Sequence, residues 1–203
     1  MEIERRNLDV ELRLINEEGQ KPKIRGYAAV FNNLSEDLGG FREKIEKGTF
    51  AKSLKKDDVR ALFNHDVNYV LGRNKANTLR LTEDEKGLNI EIDPPDNQWA
   101  RDLMISIDRG DISQMSFGFI VSDMGETWDL TEKIPIRTLT EVRLFDVSPV
   151  TYPAYPQTSV KVRDYLSSLK EEDKPVNQGL APEARADESL ELYKRKISIA
   201  ELK

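Results

Sequence analysis

The sequence predicts an α+β domain, rich in short strands, whose core is a closed or partly closed antiparallel β-barrel with a few short helices. Two observations lead to this class. Apolar and polar residues alternate in about eight segments of strand length, which are separated by turn-forming glycine, proline and asparagine residues. Only two segments among these strands repeat their apolar residues at helical spacing, and both are short. Helices therefore have a minor part in the predicted fold.

The first half of the chain is predicted to consist of strands joined by tight turns. Leu8, Val10, Leu12 and Leu14 alternate with charged residues, which is typical of one half-buried strand. Segment 24–31 follows a glycine-bearing turn and is predicted to form a hairpin with this first strand. Further strands are predicted at 41–45, 59–63, 70–73, 79–82 and 88–92, with 70–73 and 79–82 forming a second hairpin.

Two helices interrupt these strands. Residues 48–54 are predicted to open a short helix, because Phe50 and Leu54 are spaced four apart on one face. Asp96 or Asn97 is a candidate N-cap for the second helix, which ends near Gly110. Its apolar face consists of Trp99, Leu103, Met104 and Ile107.

The last two predicted strands carry polar residues within apolar runs. One covers 114–121 and contains Ser116, and the other covers 141–150 and contains Glu141 and Asp146. The stretch between them, around Trp128, has no clear pattern. Together these elements make residues 1–162 one domain.

The chain beyond residue 162 changes in character. Residues 163–188 include prolines and a glycine among polar residues, which is typical of a flexible linker. Residues 189–203 have Leu190, Tyr193 and Ile197 on one face and are predicted to be an amphipathic helix or a disordered tail. That helix is too short to form a core alone, so we expect it to be disordered or to dock on a partner.

Composition excludes several classes of function. The 31 basic and 37 acidic residues give a net charge of −6 and are well mixed, which argues against direct nucleic-acid binding. The chain has no cysteine, so disulfides, cysteine nucleophiles and thiolate metal sites are excluded. No apolar run approaches the roughly 20 residues that span a bilayer, and no signal peptide is evident. We expect an intracellular protein without a cofactor, metal or membrane partner.

The single histidine of the chain, His65, follows the apolar segment 59–63 in the run Asn64-His65-Asp66. Any chemistry that depends on histidine must use this residue. A lone histidine is more often a surface residue or a satisfied core residue than a catalyst. Zinc sites usually take several histidines or cysteines, so a metal role is disfavoured. Asp66 is expected to belong to the turn.

Ser116 is a candidate nucleophile. In a regular strand Met115, Phe117 and Phe119 point to the core, and Ser116 and Gly118 point to the other face. A small polar residue beside a glycine leaves open space over the sheet for a substrate backbone. The pattern is equally compatible with a serine on a solvated face. It is not the nucleophile elbow Gly-x-Ser-x-Gly, which disfavours an α/β-hydrolase and leaves a generic esterase with little support.

Two acids are candidates for the third member of a serine–histidine–acid triad. In a regular strand Asp146 shares a face with Val142, Leu144 and Ser148, whereas Glu141 shares one with Arg143 and Phe145. An acid on the more apolar face has fewer structural reasons to be there, so Asp146 is favoured. Glu141 has an alternative role in a surface ion pair with Arg143.

Four segments, in this order, resemble the prohead (procapsid) maturation protease family of tailed bacteriophages. They are Arg25-Gly26-Tyr27-Ala28-Ala29-Val30-Phe31, Phe63-Asn64-His65-Asp66, Gln114-Met115-Ser116-Phe117-Gly118-Phe119 and Asp146-Val147-Ser148-Pro149-Val150-Thr151-Tyr152-Pro153-Ala154. The resemblance implies a serine endopeptidase related to the herpesvirus assemblin fold. It further implies action inside the assembling procapsid, in the host cytoplasm, where the enzyme clips the scaffolding segment from the major capsid protein and cleaves itself.

Carried over by residue, the resemblance makes Ser116 the nucleophile and His65 the general base. The family's glutamate in the last of these segments appears as Asp146 here, so Glu141 is kept as an alternative. The implied partners are the major capsid protein and its scaffolding segment, and a homodimer is among the assemblies that the resemblance allows. The rival hypothesis is a noncatalytic scaffolding or capsid-assembly module, in which the tail binds shell protein and the histidine is incidental.

Overall fold

The computed structural model describes residues 3–8, 12–16, 19 and 21–152. Within these residues the protein is mostly β, with twelve strands, two α-helices and one short 3-10 helix. No helix in the described ranges is long and apolar enough to cross a membrane. The predicted linker (163–188) and C-terminal helix (189–203) lie outside the described residues, so the division into domains stays a prediction.

Most of the connections between elements are short, and the longest of those described joins β3 to β4. They are β1 (Glu4–Leu8), β2 (Leu12–Ile15), β3 (Lys23–Val30), β4 (Arg42–Ile45), α1 (Ala51–Lys56), β5 (Arg60–Phe63), β6 (Asp66–Arg73), the 3-10 helix (Asn74–Ala76), β7 (Leu79–Glu83), β8 (Gly87–Ile92), α2 (Gln98–Asp108), β9 (Gln114–Val121), β10 (Glu126–Asp129), β11 (Ile136–Leu139) and β12 (Val142–Val150).

The strands form three sheets, and the predicted barrel is wrong. A five-stranded sheet has the order β1-β9-β12-β5-β6, a four-stranded sheet the order β2-β3-β8-β7, and a three-stranded sheet the order β10-β11-β4. Among the described strands, no sheet pairs its two edges and closes. Two pairs, β11–β4 and β12–β5, are parallel rather than antiparallel. Alternation shows which face of a strand is buried but not which strand lies beside it, so it fits a barrel and layered sheets equally.

Several predicted elements are confirmed. Strands β2 and β3 form the expected antiparallel hairpin. Helix α2 begins after Asn97, whose side chain accepts a hydrogen bond from the backbone N–H of Ala100 at 3.1 Å. This side-chain cap satisfies one of the N–H groups that a helix start leaves without a backbone partner. The short helix predicted at 48–54 is α1, shifted by about one turn.

Three predictions about strands are wrong. The single strand predicted around Leu8–Leu14 is two strands, β1 and β2, which belong to different sheets. The predicted hairpin of 70–73 with 79–82 does not form, because β6 pairs with β5 and β7 pairs with β8. The unpatterned stretch around Trp128 contains two strands, β10 and β11.

The hydrophobic core contains side chains from all three sheets and from α2, and the partly buried Leu54 of α1 packs against it. Phe50, before α1, contacts Phe117 of β9 edge to face, with ring centroids 5.6 Å apart, and Phe117 stacks on Phe119 at 5.1 Å. All three rings are fully buried. Burial of aromatic rings of this size is a large hydrophobic contribution to folding. It also fixes β9, because alternate residues of this strand are anchored in the core.

A cluster of five charged side chains joins the five-stranded sheet to the three-stranded sheet. Arg137 of β11 donates to Glu4 of β1 at 2.7 Å and to Glu43 of β4 at 3.1 Å. Arg6 of β1 donates to Glu43 at 2.7 Å, and Glu126 of β10 accepts from Arg137 at 2.5 Å. Burial opposes ionisation of Glu4 most strongly, but Arg137 and Arg6 together outweigh it and hold the pKa of Glu4 below its usual range.

Replacement of Glu43 by alanine should destabilise the protein strongly. The change leaves the buried guanidinium group of Arg137 and the partly buried one of Arg6 without one of their carboxylate partners. Removal of one partner from a buried ion pair typically costs about 3–5 kcal/mol in the free energy of unfolding. The measurement is urea unfolding of Glu43→Ala and of Glu46→Ala, an exposed glutamate three residues later that should change stability by less than about 0.5 kcal/mol. Equal effects of the two substitutions would contradict a structural role for the cluster.

Candidate active site

Ser116 lies on β9, an interior strand of the five-stranded sheet that pairs with β1 on one side and β12 on the other. Met115, Phe117 and Phe119 are fully buried in the core, as their alternation predicts. Ser116 therefore points to the opposite face of the sheet. Its cross-strand partner on β12 is Ser148. Ser116 is itself fully buried, so it is not the solvated serine that the pattern also allowed.

A bulge in β12 determines which face of the sheet Asp146 occupies. Leu144 pairs with Phe119 and Asp146 pairs with Gly118, so two steps along β12 match one step along β9 and Phe145 is the extra residue. Because cross-strand partners share a face, Leu144 lies on the core face and Asp146 lies on the other. The expectation that Asp146 shares a face with Leu144 is thus wrong. The bulge instead brings Asp146 to the face that carries Ser116.

The Asp146 carboxylate is held in a space that the neighbouring residues leave open. Ser148 Oγ donates a buried hydrogen bond of 2.7 Å to Asp146 Oδ1. A Cβ atom at Gly118 would lie 3.3 Å from Asp146 Cγ and closer still to Oδ2. The space over Gly118, which the sequence suggested for a substrate backbone, is therefore occupied by this carboxylate.

His65 reaches Ser116 and Asp146 from the turn between β5 and β6. Its Nδ1 lies 2.5 Å from Asp146 Oδ1, and its Nε2 lies 2.6 Å from Ser116 Oγ. A carboxylate only accepts hydrogen bonds, so Nδ1 carries the proton and Nε2 of the neutral ring accepts from the serine hydroxyl. The side chains of His65 and Asp146 are 6% and 11% exposed. Water is largely excluded from both bonds, which strengthens them.

Glu141, the alternative acid, is not part of this arrangement. It precedes β12, five residues before Asp146, which corresponds to about 16 Å along a strand. Its carboxylate forms an ion pair with Lys52 rather than with Arg143. The Lys52 hydrogen bond lowers the pKa of Glu141, as expected for a surface pair. The structure thus brings together three of the four candidate residues.

The remaining residues of the histidine turn have structural roles. Asp66 Oδ1 accepts hydrogen bonds from the backbone and side-chain nitrogens of Asn68, at 2.8 and 2.9 Å, which confirms the expected turn role of Asp66. Sequence reasoning assigned no role to Ser148 or to Asn64. Ser148 hydrogen-bonds to Asp146, and Asn64 hydrogen-bonds to Thr151 at the end of β12. The strand pattern did place Ser148 on the face of Asp146, and the hydrogen bond between the two side chains confirms that they share it.

The arrangement can perform one kind of chemistry with its own side chains. A serine hydroxyl that hydrogen-bonds to an imidazole, whose other nitrogen is held by a carboxylate, is the constellation of nucleophilic acyl transfer. In the part of the chain that the structure describes, no group of three or more histidine, aspartate or glutamate side chains could hold a metal ion.

Residues 8–173 match the family model of the caudovirus prohead serine protease. This range covers most of the chain and includes His65, Ser116 and Asp146. The chain belongs to this family. Among curated proteins, this chain is 31% identical over 154 residues to the prohead protease of Enterobacteria phage HK97. The alignment covers 75% of this chain and 65% of the relative, so the chain spans less than two thirds of the length of that protein.

One solved structure is also similar to this prohead protease family member. The capsid assembly protease gp21 of bacteriophage T4 is 14% identical, with a TM-score of 0.46. The match covers 73% of this chain and 99% of that one.

Proposed function

We propose that the protein is a serine endopeptidase that cleaves the scaffolding segment of the major capsid protein, and itself, during procapsid maturation. The observation that carries this proposal is the continuous chain of hydrogen bonds from Ser116 Oγ through His65 to Asp146, with lengths of 2.6 and 2.5 Å. These lengths allow direct proton transfer between a nucleophile and its base. Membership of the prohead serine protease family supports the same activity.

The proposed reaction follows from this geometry. Ser116 Oγ attacks the carbonyl carbon of the scissile peptide bond as its proton passes to His65 Nε2. The resulting imidazolium is stabilised by Asp146, which holds Nδ1–H throughout. The proton is then given to the departing amine nitrogen, and the C–N bond breaks to leave an acyl-enzyme. Water, deprotonated by the same nitrogen, releases the second product and restores the serine hydroxyl.

The proposed substrate and location come from the family. The relative from Enterobacteria phage HK97 is a prohead protease, which supports a procapsid protein as the substrate. The proposed site of action is the assembling procapsid in the host cytoplasm, with the major capsid protein and its scaffolding segment as partners. A homodimer is compatible with this role.

One observation favours the rival function, a noncatalytic assembly module. Ser116 is fully buried, so a peptide can reach Oγ only after the groups over it move aside. A buried serine–histidine–aspartate network in a rigid module would have a purely structural role. The two functions differ in one measurable respect, because only the protease produces fragments that depend on Ser116.

Substitution of Ser116 by alanine should abolish proteolysis while the fold is kept, because only a hydroxyl is removed. Loss of a triad member typically costs about 10⁴-fold or more in rate. His65→Ala should be as damaging, and the double variant should be little worse than either, since the two residues act as one unit. The measurement is fragment formation from purified capsid protein by mass spectrometry, with circular dichroism as a check of folding.

Ser113→Ala is the matched control, because Ser113 is an exposed serine just before the same strand. This variant should cleave at the wild-type rate. Near-normal cleavage by Ser116→Ala would contradict the protease proposal and favour the noncatalytic assembly module. Independent, additive losses for Ser116 and His65 would mean that His65 is not the base of this serine.

The acid can be identified by a pair of isosteric substitutions. Asp146→Asn should slow hydrolysis by about 10⁴-fold, because an amide nitrogen beside Nδ1 favours the wrong tautomer of His65. Glu141→Gln should leave the rate close to wild type, because its partner is Lys52 on the surface. Steady-state hydrolysis of one capsid-derived peptide by both variants measures this. The reverse order of the two effects would assign the role to Glu141.

Deletion of residues 174–203 should leave peptide hydrolysis intact but reduce incorporation of the enzyme into procapsids. The segment 174–187 is polar and proline-bearing, and we expect self-cleavage somewhere between about residues 167 and 189. The apolar face of residues 189–203 is proposed to bind capsid or scaffold protein. The measurement is the amount of enzyme in purified procapsids. A truncated protein that fails to fold, or enters shells as efficiently as full length, would contradict this role.

A further inference from the structure

The turn that carries His65 is the two-residue loop of the β5–β6 hairpin. Asn64 and His65 both adopt positive φ angles, 53° and 58°, so two consecutive residues other than glycine lie in the left-handed region. Positive φ at both central residues is what the type I′ turn of a two-residue hairpin loop requires, although residues other than glycine adopt it at some energetic cost. Asparagine is among those that tolerate it best, because its short side chain can hydrogen-bond nearby. Contacts with the neighbouring strands add to this local preference and determine how firmly the turn is held.

Asn64 supplies the contacts that hold the turn. Its backbone N–H donates to Pro149 O at 3.0 Å. Its side-chain Oδ1 accepts from the N–H of Thr151 at 2.9 Å, and its Nδ2 donates to Thr151 Oγ1 at 3.2 Å. All three bonds reach the end of β12, immediately beyond Ser148. The histidine turn is thus tied to the same strand that carries Asp146.

We propose that Asn64 is a positioning residue for the candidate triad, acting through Thr151. Its side-chain bonds fix the turn so that the His65 imidazole spans Asp146 Oδ1 and Ser116 Oγ. The inference deepens the proposed protease function and rests on it. Asn64 does not touch the reacting atoms, so its effect is exerted entirely through the orientation of His65. Misplacement of a catalytic group by about 1 Å can cost about 100-fold in rate.

Glycine is the informative substitution at Asn64, because it adopts positive φ without strain and lacks only the side-chain bonds. Asn77 provides the matched control, since it also has positive φ (57°), is exposed and lies at the far end of β6 after the 3-10 helix. Asn64→Gly and Asn77→Gly are therefore the same chemical change in the same backbone conformation. Asn64→Asp keeps the acceptor for the Thr151 N–H and serves as the conservative variant.

The first measurement is the rate at which a fluorophosphonate probe labels Ser116, with Ser116→Ala as the blank. Asn64→Gly should be labelled about 10- to 100-fold more slowly than wild type, and Asn77→Gly at the wild-type rate. Asn64→Asp should recover part of the loss. With a peptide substrate, kcat should fall while KM changes little, because the chemistry is misaligned and the binding surface is not.

The second measurement is the low-field proton NMR resonance of His65 Nδ1–H, which reports the bond to Asp146 without any substrate. It should be present in wild type and Asn77→Gly and lost or broadened in Asn64→Gly. If Asn64→Gly does not fold, Thr151→Val removes only the hydroxyl that accepts from Asn64 Nδ2, and it should slow labelling in the same direction by less.

Wild-type labelling, turnover and resonance in folded Asn64→Gly would overturn the inference. Equal slowing by Asn77→Gly would also overturn it, because the effect would then come from flexibility of the chain. A wild-type protein that is neither labelled nor active would overturn the proposed function instead. In that case the resonance alone decides whether Asn64 orients the imidazole.

Discussion

The extra residue in β12 is the constraint on which the candidate site depends. Without the bulge at Phe145, regular alternation would turn Asp146 to the core face, beside the aromatic rings of β9. With the bulge, Leu144 remains in the core and Asp146 faces Ser116 across the paired strands. Helix α1 contacts the strand at this point, since the N–H of Leu144 donates to Ser53 Oγ at 2.8 Å in a buried bond. Strand β12 therefore contributes both to the hydrophobic core and to the polar face, because the bulge shifts the alternation of its side chains.

Stability and chemistry impose the same requirements on Asp146. A buried carboxylate destabilises a fold unless hydrogen bonds replace its lost hydration. Ser148 and His65 supply such bonds to the same oxygen, and the missing side chain at Gly118 supplies the room. The orientation that satisfies the carboxylate is also the one that holds the imidazole toward Ser116. Exclusion of water strengthens these bonds, but it also means that a substrate must displace the groups over the serine.

The sequence predicted the individual strands better than their arrangement. On β9 the alternation is regular, so the face of Ser116 could be predicted correctly. On β12 the favoured acid, Asp146, lies beside His65, but the reason for choosing it was wrong, because a bulge leaves no mark in a hydrophobic pattern. Strands β10 and β11 were missed for a related reason. Arg137 and Thr138 are buried polar residues, and the glutamates that make the burial of Arg137 favourable come from β1, β4 and β10, which are distant in sequence or unpatterned.

The three residues of the candidate site are not held equally. Ser116 and Asp146 lie on paired strands of a sheet interior, where backbone ladders and buried neighbours fix them. His65 lies in a turn, and the strand pairing on either side of it is interrupted by irregular register. Its position therefore depends on a few hydrogen bonds from Asn64 to the end of β12. Because turns open at lower free energy than sheet interiors, the alignment of His65 can be lost while the fold persists. Activity should thus be more sensitive than stability to changes at this turn, which separates the chemistry of the site from the energetics of the sheet that supports it.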